Sequence, residues 1–320
     1  MENARNNDVV VVGGGVVGLT TAVVLAERGV RVRVWTRDPV ERTTSAVAGA
    51  LWWPYRIEPV RAARVWALRS LALYEELAAR PETTGVRMVE GVLGETDLDD
   101  GVKWAVARLP GLRASTPEEY AGSGLWARLP LIDMSTHLPW LRERLLTAGG
   151  VVEERAVSDF TEVEGPVVVN CTGLGARELV PDACVRPVRG QLVVVENPGI
   201  RTWLVTTGAD GEMAYFFPQP GRLLLGGTAD EDAWSTTPDP AVAEAIVRRC
   251  AALRPEIAGA RVLEHRVGLR PARHAVRLER EVLPDGRVLV HNYGHGGAGV
   301  TVAWGCAEEA AGLVGPAASG

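Results

Sequence analysis

Three glycines near the N-terminus are spaced for binding a phosphate group. Gly13, Gly15 and Gly18 form a Gly-x-Gly-x-x-Gly pattern that follows an apolar run over residues 8–12 and opens a second apolar run. In this setting the first glycine allows a tight turn, the second lets the backbone approach a pyrophosphate, and the third lets helix and strand pack closely. The helix that follows points its N–H groups and the positive end of its dipole at the anion. The pattern therefore predicts a dinucleotide site.

The residues after the second predicted strand leave the choice of dinucleotide open. An acid at that strand end usually binds the ribose hydroxyls, and here Asp38 lies slightly beyond the usual position, directly after Arg37. Arg37 would suit the additional phosphate of NADP. An NADP-dependent dehydrogenase is therefore one alternative to a flavoenzyme.

Two later segments favour FAD. Residues 167–173 form an apolar strand that ends in Thr172 and Gly173, as beside the cofactor of flavoproteins with two dinucleotide folds. Residues 293–299 contain four glycines directly before the predicted C-terminal helix. Backbone N–H groups and the helix dipole of such a loop can face the flavin, where positive potential stabilises the reduced, anionic ring.

The elements that must position these residues form an α/β frame. Apolar runs predict strands at residues 8–12, 31–35, 151–153, 166–170 and 287–290. They predict helices at residues 16–28, 60–77, 137–148 and 300–313, with Ser135 or Thr136 as the N-cap of the third helix. Between residues 188 and 227, turns separate short predicted strands at 191–195, 203–206, 215–217 and 223–225.

The predicted fold class is α/β, with a Rossmann-like FAD-binding domain and a second α+β substrate domain built on a mostly antiparallel sheet. A chain of 320 residues exceeds the usual size of one domain. We assign residues 1–55, 135–180 and 276–320 to a discontinuous FAD-binding domain. Residues 56–134 and 181–275 are assigned to the substrate domain.

The composition excludes partners that need a strong positive field. The chain has 34 basic and 40 acidic residues and a formal net charge of -6, so neither nucleic acid nor a membrane surface is a predicted partner. The four cysteines form no C-x-x-C pair. This usage fits a reducing compartment and predicts a cytoplasmic protein.

Two further groups of side chains are set aside. His291 and His295 have the spacing of a metal-binding pair on a helix, but the glycines around them disfavour a helix. No metal is therefore predicted. Cys306 lies on the predicted C-terminal helix, where we interpret it as a buried small residue rather than a point of covalent flavin attachment.

Across nearly its whole length, the sequence resembles the D-amino-acid oxidase family. The resemblance is carried by the joint order and spacing of the segments at residues 43–45, 48–55, 169–173, 189–191, 268–271 and 291–297. It implies a non-covalently bound FAD. The predicted FAD contacts, carried over position by position, are Gly13, Gly14, Gly15, Val16, Val17, Gly18, Arg37, Asp38, Thr44, Ser45, Gly49, Ala50, Leu51, Val157, Thr172, Gly173, Arg270, Gly296, Gly297, Gly299 and Thr301.

The resemblance also implies a substrate site. Arg270 matches the arginine that clamps the substrate carboxylate, and a planar guanidinium can donate two parallel hydrogen bonds to that group. Tyr215 matches a tyrosine that hydrogen-bonds the same carboxylate, and the backbone carbonyl of Gly297 matches the acceptor for the substrate amine. Strand alternation places Phe217 on the same face as Tyr215. Trp53 stands where family members often have a polar residue, and both aromatic side chains are predicted to line the pocket.

The implied reaction is the oxidative deamination of a D-amino acid. A hydride passes directly from the substrate Cα to flavin N5, and no side chain acts as an essential acid or base. Dioxygen then takes up the electrons to give hydrogen peroxide, and the imino acid hydrolyses to a 2-oxo acid and ammonia. A non-catalytic flavin-binding module is a further alternative, against which the carboxylate-binding Arg270 argues.

Substrate preference is predicted from the pocket entrance. The segment at residues 208–214 is shorter than the lid loop of animal members of the family and lacks the tyrosine found there. A more open entrance favours bulky or hydrophobic neutral D-amino acids. The alternative is an acidic substrate, as in the related D-aspartate oxidases, because the positive charge of Arg56 lies close by in the sequence. A homodimer is among the expected assemblies.

Overall fold

The computed structural model describes residues 8–98, 103–208 and 211–315. Its strands are β1 Asp8–Val12, β2 Arg31–Thr36, β3 Val86–Gly94, β4 Arg113–Ala114, β5 Gly124–Ile132, β6 Val151–Glu154, β7 Val167–Asn170, β8 Arg186–Glu196, β9 Trp203–Thr207, β10 Met213–Gln219, β11 Arg222–Gly226, β12 Asp230–Glu231, β13 Val262–Val282 and β14 Val288–His295. Its α-helices are α1 Val16–Glu27, α2 Thr44–Val47, α3 Val60–Leu77, α4 Pro81–Thr84, α5 Lys103–Val106, α6 Met134–Thr147, α7 Ala176–Leu179, α8 Pro240–Leu253 and α9 Gly299–Val314. A 3₁₀ turn, Gly296–Ala298, joins β14 to α9.

In the described residues, the parallel strands and the antiparallel strands belong to one sheet. Its order is β4-β5-β3-β9-β10-β11-β8-β13-β14-β7-β1-β2-β6, with β12 paired to β8 outside this path. Strands β14, β7, β1, β2 and β6 run parallel to one another, whereas β9, β10, β11, β8 and β13 pair antiparallel. The long strand β13 also pairs antiparallel with β14 and thereby joins the two halves. This architecture confirms the predicted α/β class with a mostly antiparallel second sheet region.

The predicted domain boundaries follow the two halves of the sheet except at one strand. Strands β14, β7, β1, β2 and β6 come from the segments assigned to FAD binding, and the remaining strands up to β12 come from those assigned to the substrate domain, where β3 and β9 also pair parallel. Strand β13, however, runs through the boundary drawn between residues 275 and 276. The division into two separate domains therefore stays a prediction.

The N-terminal β1-α1-β2 unit forms where the glycine pattern predicts it. Helix α1 is buried along most of its length, because it packs on β2 and between α9 and α6. Gly29, with a φ of 81°, takes the left-handed conformation that ends the helix. Because α1 is covered by other elements on nearly all sides, it has no polar face, and its sequence is a nearly continuous apolar run.

The prediction for the start of α6 was wrong in its capping residue. Neither Ser135 nor Thr136 is the N-cap; Asp133 is, and its carboxylate accepts a hydrogen bond from the Ser135 backbone N–H at 3.1 Å. Asp133 directly follows β5 and keeps an extended backbone, which leaves its carboxylate free to cap the first turn.

Two further expectations need correction. The glycine-rich segment at residues 293–299 is not one loop, because residues 293–295 complete β14 and only the 3₁₀ turn separates them from α9. The region at residues 56–134 also contains two nine-residue strands, β3 and β5, where the sequence predicted only a helix. None of the helices in the described ranges has the length and apolar character needed to span a lipid bilayer.

Candidate active site

The glycine turn between β1 and α1 is too tightly packed to hold any side chain. Gly13 has a φ of 118°, and a Cβ on it would collide with the Cys171 carbonyl group. A Cβ on Gly18 would collide with the carbonyl oxygen of Gly13, and one on Gly14 with the side chain of Thr36. The backbone of this turn is therefore the surface presented to a ligand, as the spacing predicts.

The N-terminus of α1 is suited to an anion. Its N-cap, Gly15, provides no side-chain cap, and the first turn contains no acidic residue. The Val16 N–H donates to the Ser45 hydroxyl at 2.9 Å, which brings α2 against the turn. An uncapped helix start with a hydroxyl beside it fits a pyrophosphate, because the helix dipole and N–H groups stabilise negative charge there.

A second group of predicted contacts lies at the carboxyl ends of β2 and β6. The exposed side chains of Arg37 and Asp38 form an ion pair of 2.9 Å at the end of β2. Val157 follows β6, is half-buried, and packs in the apolar cluster that contains Trp35. The guanidinium of Arg155 lies 3.8 Å from the Trp35 ring centroid. Nucleotide ligands of parallel sheets bind outside this edge, so the positions fit the far end of a dinucleotide.

The loop after β7 lies against the strand that carries Arg270. The Asn170 side-chain oxygen accepts hydrogen bonds from both the backbone N–H and the hydroxyl of Thr172, at 3.2 and 2.7 Å. Gly173 has a φ of 58°, and a Cβ on it would lie 3.6 Å from Pro271 on β13. Thr172 and Gly173 are therefore positioned between the cofactor strands and the substrate strands.

The start of α9 is a second uncapped helix terminus. Ala298 provides no side-chain cap, and the first turn contains no acidic residue. A Cβ on Gly297 would lie 3.3 Å from Cδ1 of Tyr55 and 3.5 Å from Cδ of Arg270. The backbone of the 3₁₀ turn thus faces Arg270 of the predicted substrate site and Tyr55, which was not predicted to belong to it.

The segment at residues 49–51 runs along β5 and over an aromatic side chain. A Cβ on Gly49 would lie 2.7 Å from Cε2 of Phe217. The Ala50 carbonyl accepts from the Ile132 N–H at 3.0 Å, and Leu51 forms an isolated bridge with β5. These hydrogen bonds fix the segment between Phe217 and the glycine turn.

Trp53 is tied to α9 through its backbone. The Thr301 hydroxyl donates to the Trp53 carbonyl at 3.0 Å and accepts from the Trp53 N–H at 3.3 Å. The Trp53 ring packs against Trp52 and against Trp104 of α5, with centroid separations of 6.4 and 6.1 Å. Sequence reasoning did not place Trp104 in this cluster, since no local pattern links residues 53 and 104.

Arg270 is held flat against neighbouring strands. Its Nη1 donates to the Thr228 carbonyl at 3.0 Å, and its guanidinium lies where a Cβ on Gly190 would be. Tyr215 is buried beside it, and burial raises the pKa of the Tyr215 phenol while the positive charge of Arg270 opposes that rise. The pair combines a fixed cation with a phenol that stays protonated, so both groups can donate to a carboxylate.

The alternation predicted for β10 is confirmed. Tyr215 and Phe217 stack with ring centroids 4.7 Å apart, whereas Phe216 belongs to the apolar cluster on the opposite face of the sheet. The Cys250 thiol of α8 donates to the Tyr215 carbonyl at 3.4 Å from that opposite face. Two stacked rings therefore form one wall beside Arg270.

Known proteins match this chain along nearly its full length. A family model described as FAD-dependent oxidoreductase matches residues 8–313. The D-amino-acid oxidase of Streptomyces coelicolor is 79% identical over 314 residues, which is 98% of each chain. The chain belongs to the D-amino-acid oxidase family. A second family member, the D-amino-acid oxidase of Rubrobacter xylanophilus, is 50% identical over 97% of this chain and 96% of its own.

More distant relatives agree with the assignment. The human D-aspartate oxidase is 35% identical over 98% of this chain and 95% of its own. Among solved structures, glycine oxidase from Geobacillus kaustophilus superposes with a TM-score of 0.81 at 21% identity, covering 97% of this chain and 95% of that one. At that identity, the likeness concerns the fold.

The D-amino-acid oxidase family is FAD-dependent. This confirms the prediction of an oxidoreductase that uses FAD, and not the alternative of an NADP-dependent dehydrogenase. The residues present fit this cofactor, since the two uncapped helix starts and the glycine turn lie close together: a Cβ on Gly299 would lie 3.8 Å from Cγ2 of Val17. The structure brings together the predicted contacts around α1, α2, β7 and α9 and places Arg37, Asp38 and Val157 at the far end. The individual contacts and the non-covalent attachment stay predictions.

His291, His295 and Cys306, for which no ligand role is predicted, are all buried. His291 and His295 are on strand β14, and burial lowers the pKa of His295 to about 4. Within the described ranges, no group of three or more acidic, histidine or cysteine side chains is arranged as a metal site. Cys306 is fully buried on α9, and burial raises the pKa of its thiol well above the ordinary value.

Proposed function

We propose that the protein oxidises D-amino acids to 2-oxo acids, with release of ammonia and hydrogen peroxide. Relatives that are 79% and 50% identical over nearly the whole chain are D-amino-acid oxidases. The observation that carries the proposal is the pairing of Arg270 with the buried Tyr215, next to the backbone of Gly297. This arrangement suits a ligand that has a carboxylate and an amine on one carbon.

Arg270 is proposed to clamp the substrate carboxylate. The Thr228 carbonyl accepts a hydrogen bond from Nη1 of Arg270, and the guanidinium packs flat on Gly190. Both contacts limit the rotation of the guanidinium. A guanidinium fixed in this way forms a charge-assisted, two-pronged pair with a carboxylate. The Tyr215 phenol then donates to the same group, so the substrate is oriented by its acid end.

The rest of the site is proposed to orient the substrate Cα. The Gly297 carbonyl accepts from the substrate amine, and no side chain needs to act as an acid or base. Bound FAD supplies the oxidising chemistry, as the acceptor of a hydride from Cα and the route for electrons to dioxygen. The contribution of this chain is therefore mainly orientation, which can account for a large part of a rate enhancement.

The wall formed by Tyr215 and Phe217 favours apolar substrate side chains. Stacked aromatic rings provide apolar surface with few polar groups, so we propose bulky or hydrophobic neutral D-amino acids as preferred substrates. The second candidate is an acidic D-amino acid. It is motivated by Arg56, whose exposed guanidinium lies 5.2 Å from the Tyr55 ring centroid next to the pocket.

An anaerobic titration tests both parts of this proposal. Purified holoenzyme is mixed with either enantiomer of phenylalanine, methionine, serine and aspartate, and the loss of oxidised-flavin absorbance is followed. We expect bleaching by the D-enantiomers and the fastest reduction by D-phenylalanine or D-methionine. Bleaching by L-enantiomers alone would contradict the function, and fastest reduction by D-aspartate would replace the neutral class by the acidic one.

We also propose a cytoplasmic location and a homodimeric assembly. All four cysteines, Cys171, Cys184, Cys250 and Cys306, are free thiols, which is compatible with a reducing compartment. The assembly is tested by light scattering during gel filtration, for which a mass of twice 34.2 kDa is expected.

A further inference from the structure

One buried hydroxyl group next to the proposed substrate site lacks a partner. The Tyr55 hydroxyl oxygen is inaccessible to solvent, and no atom of the described residues forms a hydrogen bond with it. Buried hydroxyls in proteins almost always form hydrogen bonds, because their desolvation is otherwise uncompensated. A partner supplied by a bound molecule would satisfy this group.

The position of Tyr55 links it to the substrate site. A Cβ placed on Gly297 would lie 3.3 Å from Cδ1 of Tyr55 and 3.5 Å from Cδ of Arg270. Tyr55 and Arg270 therefore border the same point of the backbone. Tyr55 also acts electrostatically on the Tyr215 phenol. The Tyr55 ring and the Arg270 side chain therefore meet beside the backbone of Gly297, and the guanidinium of Arg270 extends to Tyr215.

The chain around Tyr55 holds its ring in place. The Arg56 guanidinium lies 5.2 Å from the ring centroid, within the range of a cation–π contact. Arg56 has a φ of 44°, a left-handed conformation that is unfavourable for a residue other than glycine and turns the chain at this point. On the other side of Tyr55, the backbone of Trp53 is hydrogen-bonded to Thr301 in both directions.

The connection between β9 and β10 does not supply a second hydroxyl. The Gly208 N–H donates to the Glu212 carbonyl at 2.8 Å. Residues 209–210 lie outside the described residues, and residues 208–214 contain no tyrosine. Tyr55 is a tyrosine beside the site that comes from a different segment.

We propose that the Tyr55 hydroxyl donates a hydrogen bond to the substrate carboxylate that Arg270 clamps. The inference rests on the proposed function. In this arrangement the carboxylate is bound by the guanidinium and by two phenols from different segments, Tyr215 on β10 and Tyr55 before α3. Tyr55 is thus a binding residue that fixes the acid end of the substrate and, through it, the direction of Cα.

The variant Tyr55→Phe removes the hydroxyl and keeps the ring. Binding of benzoate, an aromatic carboxylate without an α-hydrogen, is measured on the holoenzyme through its perturbation of the flavin spectrum. We expect the Kd of benzoate to rise about ten-fold, since a hydrogen bond to a charged group is lost. For D-phenylalanine, KM should rise by a similar factor with a smaller change in kcat, because the bond forms in the ground state and the transition state alike.

Two controls separate this role from simple packing. Tyr55→Phe should weaken the binding of the neutral amide benzamide less than that of benzoate, because a hydrogen bond to an uncharged carbonyl contributes less than one to a carboxylate. Tyr120→Phe should leave benzoate binding unchanged. The Tyr120 hydroxyl contacts Glu95 and Thr206, so this control also removes a tyrosine hydroxyl. Tyr55→His, which keeps a ring with an N–H donor, should recover part of the affinity for benzoate.

The outcomes distinguish this inference from the proposed function. If D-amino acids reduce the flavin of the unmodified enzyme but Tyr55→Phe binds benzoate normally, the role of Tyr55 is wrong and the function stands. An equal loss for benzoate and benzamide, or an equal loss in Tyr55→Phe and Tyr55→His, assigns Tyr55 to packing. If no D-amino acid reduces the flavin of the unmodified enzyme, the proposed function itself fails.

Discussion

The two halves of the sheet contribute to the candidate site in different ways. The parallel half presents backbone atoms, because its two turns, the first one and the one before α9, are built mainly from glycines. The glycines of the first turn also leave no space for a side chain. The antiparallel half presents side chains, with Arg270 on β13 and Tyr215 on β10 fixed by neighbouring strands. Substitutions in the parallel half should therefore affect cofactor binding, and those in the antiparallel half substrate binding.

The largest effect is expected from Gly18→Ala. The new Cβ would collide with the Gly13 carbonyl oxygen, which is backbone and cannot rotate away. The turn has to open, so we expect a protein without flavin and a free energy of unfolding lowered by about 3 kcal/mol. Flavin absorbance of the purified protein and thermal unfolding measure both effects.

Gly312→Ala is the matched control for this substitution. Gly312 is on α9, and a Cβ there meets no atom within 4 Å. The variant should keep its flavin and gain about 0.5–1 kcal/mol of stability from the higher helix propensity of alanine. Full flavin content in Gly18→Ala would remove the backbone explanation for the parallel half.

The next largest effect is expected from Arg270→Ala. Removal of the guanidinium leaves a partly desolvated carboxylate without its partner, which costs about 2–5 kcal/mol in kcat/KM. Flavin content should stay near that of the unmodified protein, because Arg270 is only one of the predicted FAD contacts and the glycine turn and both helix starts are unchanged. Arg280→Ala, an exposed position on the same strand, should change neither quantity. Loss of flavin together with activity in Arg270→Ala would show that the two halves are not separable.

Acid sensitivity should arise from the segments of the parallel half, which contain buried histidines with lowered pKa values. Burial lowers the pKa of His137 on α6 and of His295 at the end of β14 from 6.5 to about 4. The unfolded chain therefore binds protons that the folded chain excludes, and stability present above pH 6.5 is lost as the pH falls towards 4. Each histidine should contribute a loss on the order of 2 kcal/mol at pH 4.5.

Denaturant unfolding at pH 7 and pH 4.5 measures this loss. His137→Gln should show a smaller drop in the free energy of unfolding between the two pH values than the unmodified protein. His274→Gln, at an exposed position on β13, should show the same drop as the unmodified protein. Identical drops in all three proteins would mean that the buried histidines do not govern acid stability.

The parallel half was also the half that the sequence predicted well. Strands β1 and β7 are short apolar runs, and α1 and α9 are bounded by glycines, so the signals are local. In β3 and β5 the signal is mixed. Met88 of β3 faces Pro130 of β5, and a proline inside a run argues against a strand. The ends of both strands are buried on both faces, which hides the alternation.

Side chains of the substrate site are less predictable from the sequence than the glycine turns. The strands of Arg270 and Tyr215 are separated by β11 and β8, and the two side chains meet because each lies over a glycine of an intervening strand, Gly190 and Gly226. No local sequence pattern contains this strand order. The pairing of the two side chains was expected from resemblance to the family. Tyr55 lies inside a segment that carries the resemblance, but its role depends on an unpaired hydroxyl that only the folded chain reveals.

The smallest effect, and the most selective, is expected from Gly49→Ala. Its Cβ would lie 2.7 Å from the Phe217 ring, which must move towards the pocket because it is stacked on Tyr215. This shift costs about 1–2 kcal/mol when a large substrate occupies the pocket. We expect kcat/KM for D-phenylalanine to fall about ten-fold more than kcat/KM for D-alanine, with flavin retained.

Gly259→Ala, where a Cβ meets no atom within 4 Å, should leave the ratio unchanged. Because Gly49 belongs to the cofactor half by sequence but contacts a substrate-half ring, a loss of flavin instead of a change in this ratio would place the division between the halves elsewhere.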